Sequence, residues 1–198
     1  MAKFYGPLRL VERITPGTYD YYRQHYIKEL QKDDVVPMLS YMSDSGAYVI
    51  YHKNHNFDQD ELDAARIMAD NGIIVHLTSE RDISQATATF INRDGDRIYK
   101  FSDGRLTINS LSYEQSTRSN NINTDPDAGW KWVKKALRHG QDKRSKIAVL
   151  YDKGGTVTRE NIAKGIQKYE EIRANTHRFN TILVISKNGK VYEWRHNI

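Results

Sequence analysis

The chain has no cysteine among its 198 residues. That single absence excludes disulfides, thiolate nucleophiles and cysteine-based zinc sites. It favours a reducing compartment, so a cytoplasmic protein is expected. Long apolar runs are missing as well. No stretch approaches the roughly 20 apolar residues of a membrane span. The opening Met1-Ala2-Lys3-Phe4-Tyr5-Gly6-Pro7 lacks the apolar region of a signal peptide. The motifs of several enzyme classes are absent too: no Walker A sequence, no GxGxxG after a strand, no HExxH and no GxSxG. Asp152-Lys153-Gly154-Gly155-Thr156 is glycine-rich but lacks phosphate-loop spacing. ATP hydrolysis, dinucleotide redox chemistry and zinc proteolysis therefore lose support. No internal repeat and no low-complexity linker is visible.

What is present is a polar chain that can still build a core. Hydrophobic residues make up 38% and charged residues 28%. Mean hydropathy is -0.74, but apolar residues recur throughout and aromatics reach 11%, which argues against disorder. Tyrosine alone occupies 13 positions and can complete a modest core or stack on bases. The net charge of +5 and pI of about 9.2 favour a polyanionic partner, because Lys and Arg beside phosphates release counterions.

The pattern predicts an N-terminal extension over residues 1–45, with one helix at Thr18–Lys32, and an α+β domain over 46–198. Gly46–Lys53 reads as a strand. Phe57–Gly72 reads as a helix, with Asp58 as N-cap, Glu61 completing a capping box and Asn71-Gly72 as the left-handed stop. Ile73–Thr78 follows as a strand. Ala86–Ile91 and Arg97–Phe101 flank Asp94-Gly95, a hairpin signal, and Leu106–Ser116 is extended. A helix starts at Asp125-Pro126 and stops at Gly140, with Trp130, Val133 and Leu137 inward. Lys146–Tyr151 is a buried strand. Thr158–Ala174 is a helix with Ile162, Ile166, Tyr169 and Ile172 on one face. Thr181–Ser186 and Lys190–Arg195 form a hairpin, with Asn188-Gly189 suggesting a type I′ turn. The expected architecture is a mixed, mainly antiparallel central sheet flanked by helices.

Four constellations carry possible chemistry. Along Leu111–Arg118, strand alternation places Ser112, Glu114, Ser116 and Arg118 on one face. A carboxylate beside hydroxyls and a guanidinium suits a catalytic strand; it also suits an edge strand facing water. Asp103 and Glu80, with Glu114, have the oxygen ligands for a divalent ion such as Mg²⁺, although Asp103-Gly104 is also an ordinary turn pair. His76 lies in the strand after the first strong helix and His196 follows Arg195 on the last one; histidine is the usual acid or base near neutral pH. His196 shares a face with Tyr192 and Trp194, a possible RNA clamp or simple sheet packing. Finally, Lys131, Lys134, Lys135 and Arg138 fall on one helical face, and Lys143 and Arg144 extend them. That is a phosphate-tracking surface or a solvated face.

The order of pieces from Glu61-Leu62-Asp63-Ala64-Ala65-Arg66 through Ile73-Ile74-Val75-His76-Leu77, then Asp103-Gly104 and Glu114, resembles the C-terminal toxin nucleases of contact-dependent inhibition proteins and related phage-encoded domains. That superfamily includes the barnase, EndoU, colicin and RelE-like RNases. The resemblance covers about residues 55–196 and lies in layout more than in invariant residues. It implies cleavage of RNA, commonly tRNA, without a metal, and implies an inhibitor or immunity protein as a further partner. Glu114 would then be base or orienting group, Arg118 or Arg195 would hold phosphate charge, and His196 or His76 would be the acid. The Asp…Glu-x-Lys layout is also similar to metal-dependent restriction-type nucleases, but Ser116 stands where their Lys would be. A non-catalytic nucleic-acid-binding or phage-associated module on the same scaffold is the alternative.

Overall fold

The computed structural model describes residues 8–11, 23–24, 26–27, 31, 37–52, 59–77, 89–91, 98–100, 108–110, 127–142, 147–172, 178–179 and 181–195. The fold is α+β, with three helices and two mixed five-stranded sheets among the described residues. The strands thus divide between two sheets where one central sheet was expected. The chain separates into two compact units: residues 12–106, and residues 1–11 together with 107–198. The expected boundary after residue 45 falls inside the first of these.

The unit of residues 12–106 contains β2 (Pro37–Met42), β3 (Tyr48–His52), helix α1 (Gln59–Asp70), β4 (Ile74–Leu77), β5 (Thr89–Ile91) and β6 (Ile98–Lys100), in the sheet order β2-β3-β4-β5-β6. β3 and β4 are parallel, joined across α1, while the outer pairings are antiparallel. β2 was not read from sequence. It forms a hairpin with β3 in which Ser43 N–H donates to the Ala47 carbonyl at 2.7 Å and Gly46, at φ 94°, turns the chain. α1 buries Leu62, Ala64, Ala65, Met68 and Ala69. Gly72, at φ 85°, ends it as expected. The Tyr41 hydroxyl donates to Asp70 at 2.6 Å, and Tyr26 meets the buried Tyr48 edge-on at 5.0 Å. Of the helix expected at Thr18–Lys32, Arg23, Gln24, Tyr26 and Ile27 are helical and Gln31 is a turn; the rest lies outside the described residues.

The second unit contains β1 (Arg9–Val11), β7 (Ile108–Ser110), α2 (Ala128–Asp142), β8 (Ile147–Asp152), α3 (Arg159–Glu170), β9 (Thr181–Ser186) and β10 (Val191–Arg195), in the sheet order β1-β10-β9-β8-β7. β7, β8 and β9 run parallel; β10 and β1 add antiparallel. Every residue of β9 is buried, the signature of a strand covered on both faces. One face packs Ala148, Leu150, Ile182, Val184, Tyr192 and Trp194 against Val133, Leu137, Ile162, Ile166 and Tyr169 of α2 and α3. Tyr192 and Trp194 are therefore core residues, and sheet packing accounts for them.

Three helix ends differ from expectation, both of α2 and the last of α3. α2 begins at Ala128 and continues through Gly140 to Asp142. α3 is capped by Thr158, whose hydroxyl accepts from Asn161 N–H while the Asn161 side chain accepts from Thr158 N–H, a full capping box. It closes at Glu171, so Ile172 lies beyond the helix and is 39% exposed instead of joining the buried stripe. The β9–β10 hairpin forms as predicted, but not on a two-residue type I′ turn. Ser186 pairs with Lys190, Gly189 N–H donates to the Ser186 carbonyl, and only a three-residue loop with left-handed Gly189 remains.

The two units share a pattern. Each runs strand, helix, parallel strand, antiparallel strand: β3-α1-β4-β5 and β8-α3-β9-β10. Val49, Tyr51 and Lys53 stand 100 positions before Val149, Tyr151 and Lys153. Each unit also has a hairpin turn of the form Ser-x-x-Gly, at Ser43–Gly46 and Ser186–Gly189. No repeat is visible in the sequence because so few identities survive outside these positions.

Candidate nucleic-acid interface

α2 is amphipathic. Val133, Ala136 and Leu137 are buried, whereas Lys131, Lys135 and Arg138 are exposed and Lys134 is half-exposed. The four predicted cations therefore do share an outward face. No acidic residue occurs between Ala128 and Gln141. Among the described residues, no carboxylate forms an ion pair with Lys134, Lys135 or Arg138. Lys143 and Arg144 lie outside the described residues.

The start of this face is organised by Asp127. Its carboxylate accepts from the Trp130 indole N–H at 2.7 Å and from Lys164 Nζ at 3.2 Å. These bonds, the indole's first, hold its pKa below the usual carboxylate value. Lys164 and Lys131 stand 5.1 and 5.9 Å from the centre of the Trp130 ring, a cation–π arrangement. The two helices approach closely here because Gly165 lets α3 come up to Val133 and the Trp130 carbonyl.

Arg195 ends β10, and its Nε lies 2.8 Å from Glu193 Oε1, an ion-pair contact off the N–H axis. Glu193 is 2% exposed and is also held by Arg9, at 3.0 Å from Nη2 and 3.1 Å from Nε. Glu193 carries no local signal in the sequence; its position between two arginines emerges only when β1 pairs with β10. Asp152, at the end of β8, is fully buried, and its carboxylate accepts from Gly155 N–H at 3.0 Å and Val157 N–H at 2.8 Å. Burial raises its pKa despite those bonds. The glycine-rich loop after β8 thus folds around a carboxylate.

Glu170 is half-buried, and desolvation pushes its pKa up to about 7. In the window from its ordinary value of 4.5 up to about 7, the folded chain holds a proton that the unfolded chain has released. Its contribution therefore favours folding at low pH and is lost as pH rises through that window. Glu170→Gln is expected to narrow the difference in melting temperature between about pH 5 and about pH 8. An unchanged difference in the variant, read by calorimetry, refutes this. Tyr169 beside it is raised to about 12 by burial and stays neutral.

The remaining predicted residues are placed as follows. His76 lies in β4 between Ile50 of β3 and Thr89 of β5; its side chain is outside what is described. Glu114, Ser116, Arg118 and His196 lie outside the described residues, as do Glu80 and Asp103. Among the described residues no group of three or more His, Asp or Glu side chains is placed to hold a metal ion, and no helix is long and apolar enough to cross a membrane. No protein-family model, no curated protein and no solved structure matches this chain.

Proposed function

We propose that this protein acts on nucleic acid in the cytoplasm and that its reaction is metal-independent cleavage of RNA, with a tRNA-type substrate. The outward face of α2 supports this reading most. Lys134, Lys135 and Arg138 project from a helix without acidic residues as far as Gln141, and no described carboxylate pairs with them. Phosphates are the natural counter-charge for such a face. In the cleavage step Glu114 activates or orients the ribose 2′-hydroxyl, Arg118 or Arg195 offsets phosphorane charge, and His196 or His76 protonates the leaving oxygen. An inhibitor or immunity protein is the further partner of this reading.

Reversal of three cations tests the binding half. Lys134→Glu/Lys135→Glu/Arg138→Glu is expected to weaken RNA binding by at least about tenfold and to reduce the log–log salt slope by roughly 2. Fluorescence anisotropy against a tRNA at several salt concentrations measures both, and an unaltered slope rules the α2 face out. Incubation with total RNA and with DNA, with and without EDTA, beside Glu114→Ala, tests the chemistry. Cleavage by wild type but not by the variant is the expected result.

The engagement of Arg195 with Glu193 favours a second reading, a binding module without cleavage, because one of the proposed phosphate-holding cations already has a carboxylate. Salt-sensitive binding with no cleavage, with or without Mg²⁺, would establish that reading.

A further inference from the structure

β1 joins its sheet in an unusual way. It contributes only Arg9–Val11, and the chain between it and the rest of its unit is the other unit, residues 12–106. β1 is thus a complementing strand, brought to β10 from far away in sequence. Yet the place it occupies is specific. Leu8 is 4% exposed within the cluster that includes Tyr192 and Trp194. The Leu8 carbonyl accepts from Arg159 Nη2 at 3.1 Å. Arg9 lies opposite Glu193 in register and contributes two nitrogens to that buried carboxylate. Leu10 points outward, 42% exposed, and the backbone closes the antiparallel ladder as far as Val11 opposite Val191. A buried apolar cluster, the Arg159 guanidinium on the Leu8 carbonyl and a buried carboxylate therefore read an extended segment of the form Leu-Arg-x-Val.

We propose that this β10 edge is a strand-acceptor site and that its second occupant is the Leu8–Val11 segment of another copy of this chain, giving a strand-exchanged dimer. The exchanged strand makes the same contacts in trans that it makes in cis, so the exchange opposes only the entropy of association. Few ladder bonds hold so short a strand; release also uncovers Leu8 and parts Arg9 from Glu193, and reseating in trans restores both. The buried Glu193 supplies the discrimination: Arg195 stays beside it whichever strand is seated, but Arg9 contributes two nitrogens to it, and a carboxylate at position 9 would face it as a like charge.

Charge reversal separates cis from trans. Arg9→Glu places a carboxylate against Glu193; Glu193→Arg places a guanidinium against Arg9. Each chain alone disfavours its own strand. Mixed together, the exchanged dimer restores one native pair and one reversed pair, so both of its sites are matched. Size-exclusion chromatography with light scattering is expected to show twice the chain mass in the mixture and single chains in either variant alone. The doubly substituted chain Arg9→Glu/Glu193→Arg, matched in cis and in trans as wild type is, is expected to show the same proportions of single and double mass as wild type and controls for tolerance of the reversal. Should Glu193→Arg not fold, the Arg9→Glu chain retains an intact acceptor. A labelled peptide of residues 5–15 is expected to bind it at least about tenfold more tightly than the same peptide carrying Arg9→Glu. Equal binding of the two peptides overturns the site. Discrimination between the peptides, with single chains persisting in a mixture of folded variants, overturns exchange between copies.

Discussion

Gly165→Ala is expected to lower the stability of the unit formed by residues 1–11 and 107–198 by about 1–3 kcal/mol. A new Cβ at that position would stand 2.6 Å from Val133 Cβ and 2.9 Å from the Trp130 carbonyl oxygen. Alanine is the better helix former by about 1 kcal/mol in an open helix, so the two effects oppose each other. The clash prevails because one of its partners is backbone. α2 and α3 must move apart, which loosens Val133, Leu137, Ile162 and Ile166 together. Gly129→Ala serves as a contrast: the three atoms nearest its new Cβ all belong to the Asn161 side chain, whose amide can rotate away at the loss of the Thr158 capping box. That loss is worth about 1 kcal/mol. All three tryptophans, Trp130, Trp132 and Trp194, lie in this unit, so the fluorescence midpoint in urea reads it selectively. A Gly165→Ala midpoint equal to or above wild type would show that the helices do not need the glycine.

Asp152→Ala is expected to cost about 1–3 kcal/mol, because it leaves the Val157 N–H without its acceptor and leaves the Gly155 N–H with the Asp152 backbone carbonyl alone, and a buried unmet donor costs about 1–3 kcal/mol. The carboxylate is not in an easy position itself. Burial raises its pKa above the usual 3.8, so its ionised form is less favoured in the folded chain. The sign follows: this group's share of stability is greatest at low pH and falls as pH rises through the raised value. Asp152→Asn keeps one acceptor oxygen and removes the buried charge, and is expected to fall between wild type and alanine. Urea unfolding of the three proteins at neutral pH orders them. If alanine matched wild type, the loop from Lys153 to Val157 would be held by something other than Asp152. The Asp152 carbonyl also accepts from Lys187 N–H at 3.1 Å, so slackening the loop is expected to reach the β9–β10 turn.

Much of the local structure was legible. The buried stripe and Asn71-Gly72 stop of α1 and the Ile162, Ile166 and Tyr169 stripe of α3 are strong enough to be read one residue at a time, and the Lys146–Tyr151 run announced a buried strand. The outward face of α2 followed from helical spacing alone, since Lys131, Lys134, Lys135 and Arg138 cluster within one arc whatever the helix packs against. β1 and β2 were missed for different reasons. β1 is too short to show a period and draws its stability from Glu193 far away in the chain. β2, Pro37-Met38-Leu39-Ser40-Tyr41-Met42, has an irregular register near Leu39 and Tyr41, which breaks the alternation by which a strand is recognised. The Ser43–Gly46 turn was the available signal for it.

Composition and spacing by themselves determined the α+β class, the identity of the three helices and the cationic arc of α2, because those depend on neighbours within a few residues. Only the tertiary structure decided that the strands form two sheets, that the first strand completes the last unit, and that Glu193 is gripped by Arg9 and Arg195. Strand pairing and burial join residues up to 184 positions apart, and no periodicity in a linear chain encodes which distant segment will bury a given carboxylate.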